Sequence, residues 1–283
     1  MRQIQLLLVF LTSASCMAQD TLPPYNPDYN GDGCYTVADL MPFLQLFGAC
    51  PDTTETWTCG GTVLFDNYGY ESVLIGDQCW LAENLRNVHY SNGDTISTNL
   101  SESEWQSYPA EGRMTVYGDD EACQDYSPDI DACDPVQSLA EYGRLYNWYA
   151  VTDPRNVCPE GWHVPSDDEW MVMEQALGMT ASAADSLGWR GVDQGHQLKS
   201  AFGWSPDAFD DGNGSNAAGF NALPGGIRYS YEFYGTAGSS GWWWSTTGSF
   251  QQARYRRLNY NQDGIWRDSS APFNGFSVRC ILD

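Results

Sequence analysis

The sequence predicts an α+β fold preceded by a small loop–helix module, and three observations predict it. Helical periodicity and a helix-start signal flank a rigid turn within residues 141–170, and short strand patterns bounded by Gly, Asn and Asp recur from Thr62 to the end. Cysteines number nine, and setting aside Cys16 in an export signal leaves eight, an even number that reads as disulfides. Twelve Trp and 17 Tyr make the chain too aromatic for disorder, and 28 Gly imply many tight turns.

The chain opens MRQIQLLLVFLTSASCMAQD. One Arg, a largely apolar run over Ile4–Leu11 and small residues before Ala18 predict a signal peptide, residues 1–18, and a secreted, extracellular or cell-surface protein. The run is too short to span a bilayer. Cys16 suggests a lipobox, but Ser13 stands where that box has Leu, so cleavage after Ala18 is expected. Thirteen basic against 37 acidic side chains give −24, and removal of Arg2 with no acid gives 12 − 37 = −25. Such a surface repels phosphate backbones and anionic lipid, which argues against nucleic-acid or membrane partners, and it favours divalent cations.

Residues 27–50 form the first module. Asp28, Asn30, Asp32, Thr36 and Asp39 place side-chain oxygens at loop positions 1, 3, 5, 9 and 12; Gly33 sits at the sharp turn and Cys34 offers its carbonyl at position 7. This is the EF-hand spacing for calcium, with Asp39 in place of the usual bidentate Glu. An Asp there resembles the dockerin repeat. Leu40, Phe43, Leu44 and Phe47 then form an amphipathic helix closed by Gly48, with Pro42 near its start. A dockerin carries two repeats and this chain one, so a calcium-rigidified spacer is expected rather than a cohesin-binding module. Cys34 and Cys50 bracket the helix as one candidate disulfide. Residues 51–58 are polar and aperiodic, a linker.

Residues 59–283 form the large domain. Thr62–Phe65 and Tyr70–Ile75 make a hairpin about the turn 66–69, and Gly76-Asp77 turns into Gln78–Leu81. Cys59 and Cys79 flank this hairpin as expected partners. Glu102–Trp105 starts a short helix. Cys123 and Cys133 are expected to close the acid-rich loop 119–134, whose carboxylates offer a second calcium site without any fixed ligand spacing. In the central stretch, Leu139, Tyr142, Leu145, Tyr146 and Tyr149 line one face of a first helix. Pro159, Gly161 and Pro165 then stiffen a turn. Ser166 and Glu169 form a capping box opening a second helix, to about Leu177, with Trp170, Met173 and Leu177 inward. Thr180 caps a helix over Ala181–Leu187 that residues 188–191 end, and 197–199 form a further short segment. Two strands are expected around Asp263-Gly264, and alternation in the last strand places Phe276, Val278, Cys280 and Leu282 on the buried face.

The strings IGDQCWLAENLR (75–86), YGRLYNWYAV (142–151), CPEGWHVPSDDEW (158–170), GFNALPGGIR (219–228), Trp243-Trp244-Ser245, YRRLNYN (255–261) and NGFSVRC (274–280) stand in this order. Together they resemble the major paralogous domain family first described from Fibrobacter succinogenes, from about Thr62 to Asp283. The resemblance implies a C-type-lectin-like fold with a twisted β core, two main helices and long loops, related to the formylglycine-generating sulfatase-modifying group. It also implies a Cys158–Cys280 disulfide. It supplies a fold rather than a reaction.

The expected function is non-catalytic binding of a glycan or cell-surface protein ligand. Tyr229, Tyr231, Tyr234, Trp242, Tyr255, Tyr260 and Trp266 offer faces that stack on sugars, and Arg257, Asn259 and Asn261 can orient hydroxyls. At least half of these aromatics are expected in the core. Lectin-type EPN, QPD and WND calcium motifs are absent. The same region resembles the variable surface of retroelement-diversified C-type-lectin-fold proteins. The alternatives are an assembly component docking through residues 27–50 and an enzyme of the sulfatase-modifying kind. The latter needs a pair of reactive cysteines, whereas the cysteine near this C-terminus is single. His89, His163 and His196 are isolated, with no HExxH or GxSxG pattern, and His163 reads as structural.

Overall fold

The structure, a computed structural model, describes residues 58–107, 110–119, 123–208, 211–230 and 233–283. The expected signal peptide, the calcium loop (Asp28, Asn30, Asp32, Cys34, Thr36, Asp39), the Cys34–Cys50 pair and Tyr231 lie outside the described residues.

β1 (Thr62–Phe65) and β2 (Tyr68–Ile75) are joined by Asp66-Asn67 alone. Both residues have positive φ, 49° and 62°, as a two-residue turn matched to strand twist requires. The expected four-residue turn is therefore two residues shorter, and Tyr68 and Gly69 pair within the hairpin. Gly76, at φ 62°, turns the chain into β3 (Gln78–Leu81). A capping box between Ser101 and Glu104 opens α1 (Glu102–Trp105). β4 (Met114–Val116), β5 (Cys123–Asp125) and α2 (Pro135–Tyr142), capped by Asp134, follow.

The first central helix does not form as expected. Gly143 has φ 75° and ends α2, and a Cβ there would lie 2.7 Å from the Leu85 carbonyl oxygen. The chain continues as β6 (Arg144–Tyr146), paired antiparallel with β4, and Asn147 then caps α3 (Trp148–Val151). Tyr142, Leu145, Tyr146 and Tyr149 are all buried, but from three elements rather than one helical face. The second helix forms as read. After β7 (Trp162–His163), the Ser166–Glu169 capping box opens α4 (Asp167–Ala176), with Trp170 and Met173 buried.

α5 (Ala181–Ala184) is shorter than expected, and residues 188–190 form a strand, β8 (Gly188–Arg190), rather than a helix terminator. α6 (Gln194–Leu198) precedes β9 (Gly225–Tyr229), β10 (Phe233–Ala237), β11 (Ser240–Gly248), β12 (Ala253–Asn259), β13 (Gln262–Ser270) and β14 (Ile281–Leu282). The β12–β13 turn is Tyr260-Asn261, not Asp263-Gly264, because Asn259 pairs with Gln262. Gly264 lies inside β13, where a Cβ would come 2.7 Å from the Arg190 carbonyl oxygen; its smallness serves a close approach.

Among the described residues the strands form a seven-stranded sheet (β5-β10-β9-β11-β12-β13-β8), a five-stranded sheet (β1-β2-β3-β14-β7) and the β4-β6 pair. The class is α+β and sheet-dominated, with six mostly short helices among the described residues. Residues 275–282 bridge β9, β6 and β11 before entering the five-stranded sheet. That course buries both of their faces: Phe276, Val278 and Cys280 as expected, but also Ser277, Arg279 and Ile281, while Leu282 is exposed. One core stacks Trp244 on Phe276 at 4.0 Å, and a second gathers Trp80, Trp170, Phe220 and Trp243. Disulfides join Cys59–Cys79, Cys123–Cys133 and Cys158–Cys280. No described helix is long and apolar enough to cross a membrane.

Candidate functional site

Four strands of the large sheet carry one row of side chains. Trp242 of β11 stands opposite Arg257 of β12, Arg257 opposite Trp266 of β13, and Trp266 opposite Trp189 of β8. Directly opposed residues share a sheet face, so the row follows from register alone. The Arg257 guanidinium carbon lies 4.6 Å from the Trp242 ring centroid and 5.9 Å from that of Trp189, within cation–π range. Trp189 and Trp266 meet edge to face at 5.4 Å.

The row rises from a buried floor to an open edge. Trp242 and Tyr255 are 8% and 7% exposed and pack at 5.1 Å, whereas Arg257 and Trp266 are half-buried and Trp189, on the edge strand, is 37% exposed. Polar groups lock the floor: Trp266 Nε1–H donates to Tyr255 Oη at 3.1 Å, and Trp242 Nε1–H to Thr236 Oγ1 at 3.2 Å. Fixed aromatic faces beside a few polar groups are what a sugar-binding surface requires.

Arg257 is the charged centre. Its Nη2 donates to Ser240 Oγ at 3.3 Å; Ser240 Oγ donates to Asn259 Oδ1 at 2.9 Å, and Asn259 Nδ2 to Asn261 Oδ1 at 2.9 Å. The buried Arg257 Nε has no acceptor, and Arg257 forms no ion pair among the described residues. Burial holds its pKa below the ordinary arginine value, against a smaller opposing influence of Tyr255 and Tyr229. On the opposite face, Arg190, Arg256 and Arg267 are buried against Asp167 and Glu174.

Of the residues expected to bind ligand, the structure places Trp242, Tyr255, Arg257 and Trp266 together, with Asn259 and Asn261 linked to them through Ser240. Tyr229 packs 5.8 Å from Phe233 and is close enough to Arg257 to influence its charge. Tyr234 does not belong to this face: it is 3% exposed, sharing a hydrogen bond with Thr115 and packing on Tyr117. Tyr260 packs against the second core instead. Trp189 and Ser240 were not foreseen. For Trp189 the Gly-Trp-Arg-Gly setting looks like a helix stop, and only pairing with β13 reveals the strand.

The other candidates carry less. His163 shares hydrogen bonds with the carboxylates of Glu169 and Asp283 at 2.8 and 2.6 Å, and His89 with that of Asp66 at 2.8 Å. A cavity of about 430 Å³ lies by Ser97, Glu111, Thr152 and Arg155, but Arg155 there is already paired with Asp153 and Asp94. Among the described residues no group of three His, Cys, Asp or Glu could hold a metal ion, which includes the described part of the 119–134 loop. All six described cysteines are in disulfides.

No curated protein and no solved structure shows significant similarity to this chain. The family model of the Fibrobacter succinogenes major domain matches residues 73–282, which include every strand of the row. Over that span, about three quarters of its length, the chain belongs to the Fibrobacter succinogenes major domain family.

Proposed function

We propose that the protein is an exported, non-catalytic binding protein that recognises a glycan through the Trp242–Arg257–Trp266–Trp189 face. The observation that carries this reading is the row itself: four opposed residues with a rigid aromatic floor and an exposed indole at the rim. Indole and phenol faces stack on the CH surfaces of sugars, and the Ser240–Asn259–Asn261 chain supplies hydroxyl-binding amides. Three disulfides support an extracellular setting. The two longest helices beside a disulfide-tied β core are compatible with a C-type-lectin-like arrangement. In this reading the loop of residues 28–39 holds a structural calcium ion. A glycan array with the full-length protein, run in calcium and in chelator, tests it: glycan capture that Trp189→Ala abolishes is expected. Unchanged capture by that variant sinks this choice of face.

A further inference from the structure

We propose that Arg257 is a carboxylate anchor, so that the glycan taken by this face bears an isolated acidic sugar of the uronic type. This inference rests on the reading of the face as glycan-binding and names the class of ligand.

The buried arginines are Arg113, Arg190, Arg228, Arg256, Arg267 and Arg279. Arg279 is fully buried and donates to Asn84 Oδ1 and to the carbonyls of Leu81, Phe220 and Asn221. Arg190, Arg256 and Arg267 are paired with Glu174 and Asp167, and Arg228 pairs with Glu102. Arg113 donates to the carbonyls of Trp105 and Ser107. Arg257 has a single polar partner, the Ser240 hydroxyl, among the described residues. Yet the chain has 37 acidic side chains for 13 basic ones, so a carboxylate was readily available.

A guanidinium stays charged at neutral pH, so half-burial without a counter-ion, with Nε shielded from water, carries a standing cost. Flanking indoles exclude water and lower the local dielectric, which strengthens any charge-assisted hydrogen bond made there. A planar carboxylate matches the guanidinium fork, and the neighbouring Trp189 and Trp266 offer ring surface for the sugar that carries it. The same-face acid nearest in register is Asp268, opposite Tyr255; its Oδ1 accepts the Ser269 N–H, and it forms no ion pair with Arg257. The excess of negative charge on the whole chain repels densely charged polyanions, so an isolated acid within an otherwise neutral oligosaccharide is the form that fits.

The test uses the full-length protein and oligosaccharides bearing one glucuronic or one galacturonic acid, each with its carboxyl-reduced counterpart, titrated by calorimetry. The wild type is expected to prefer the acid by about tenfold, the scale of one charge-assisted hydrogen bond. Arg257→Gln removes that preference, Arg257→Lys keeps part of it, and Trp189→Ala weakens both members of a pair. Thermal unfolding of each variant controls for folding, and Arg257→Lys carries the test if the Gln variant does not fold. Equal wild-type affinity for acid and reduced forms, both lost in Trp189→Ala, overturns the carboxylate anchor and leaves the glycan face standing. A tenfold preference that persists in Arg257→Gln also overturns it. No binding of either form by the wild type removes the face reading together with the anchor.

Discussion

Arg256 Nη1 lies 2.6 Å from Asp167 Oδ1, joining the middle of β12 to the first turn of α4 inside the protein. Arg267 Nη2 reaches the other oxygen, Oδ2, at 2.5 Å, so one carboxylate ties α4 to two neighbouring strands. This pairing supports the Trp242–Arg257–Trp266–Trp189 row from behind, since Arg256 and Arg267 are the sequence neighbours of Arg257 and Trp266. Burial raises the Asp167 carboxyl, but hydrogen bonds and charge from Arg267 and Arg256 outweigh it and bring it down from 3.8 to about 2. The folded group releases its proton more readily than the unfolded one. Its stabilisation, about 2 kcal/mol, is therefore whole above the unfolded value of 3.8 and lost as the pH falls toward about 2. Asp167→Asn should cost about 3–5 kcal/mol at neutral pH, because it leaves two buried guanidiniums short of charge. Urea unfolding of both proteins between pH 7 and about 2 checks this: the variant should also lose this group's part of the acid destabilisation. An unchanged urea midpoint at neutral pH would refute it.

Arg279 is expected to be harder to replace than any surface arginine. Four acceptors depend on it, at 2.7–3.0 Å, and Asn84 Oδ1, one of them, also receives the Trp243 Nε1–H. Burial lowers the Arg279 pKa to about 9, with a smaller opposing influence of Glu83. Arg279→Leu strands the three carbonyls at about 1–3 kcal/mol each, while Asn84 Oδ1 keeps its Trp243 donor, a sum that reaches the scale of a domain's whole stability. Little folded, soluble protein should result, and Arg279→Lys should fold with a lowered thermal midpoint. Circular dichroism and soluble yield decide; a Leu variant that melts like the wild type contradicts the argument.

What could be read from the sequence divides along the same physical line. α4 was legible because its capping box and inward Trp170 and Met173 are local signals. The preceding segment was not, because Tyr142, Leu145, Tyr146 and Tyr149 keep helical spacing while contacting the cores from α2, β6 and α3, and only Gly143 marks the break. The Trp242–Arg257–Trp266–Trp189 row was half legible. Side-chain chemistry made Trp242, Arg257, Tyr255 and Trp266 candidates, but chemistry does not fix which way a side chain faces, and it could not show that Tyr234 turns inward. Trp189 depends on pairing with Trp266, 77 residues away by their numbering, which no local pattern encodes.

The three disulfides should contribute unequally. Cys158–Cys280 closes a separation of 122 residues and Cys123–Cys133 one of 10. In the chain-entropy account their removal costs about 5 and about 3 kcal/mol respectively. Cys158 and Cys280 are also fully buried, so Ala at both adds a packing loss that the half-buried Cys123 and Cys133 do not incur. Thermal midpoints of the two double-Ala variants should therefore fall in that order. Equal losses would mean that loop closure does not govern their contribution.

Calcium binding by residues 28–39 is the remaining expectation, and it can be tested apart from the proposed glycan face. Asp28 and Asp32 stand at loop positions 1 and 5, so replacing both with Ala removes two charged oxygen ligands from a site built on few. Calorimetry of full-length Asp28→Ala/Asp32→Ala should show loss of one tight calcium site. The unfolding transition of the large domain, whose three disulfides and cores lie within residues 58–283, should be unchanged. The converse change is more specific: Asp39→Glu at position 12 lengthens the side chain to bidentate reach and should tighten binding. Undiminished stoichiometry in the double-Ala protein would place the calcium elsewhere. Tighter binding in Asp39→Glu would tie the ion to this loop.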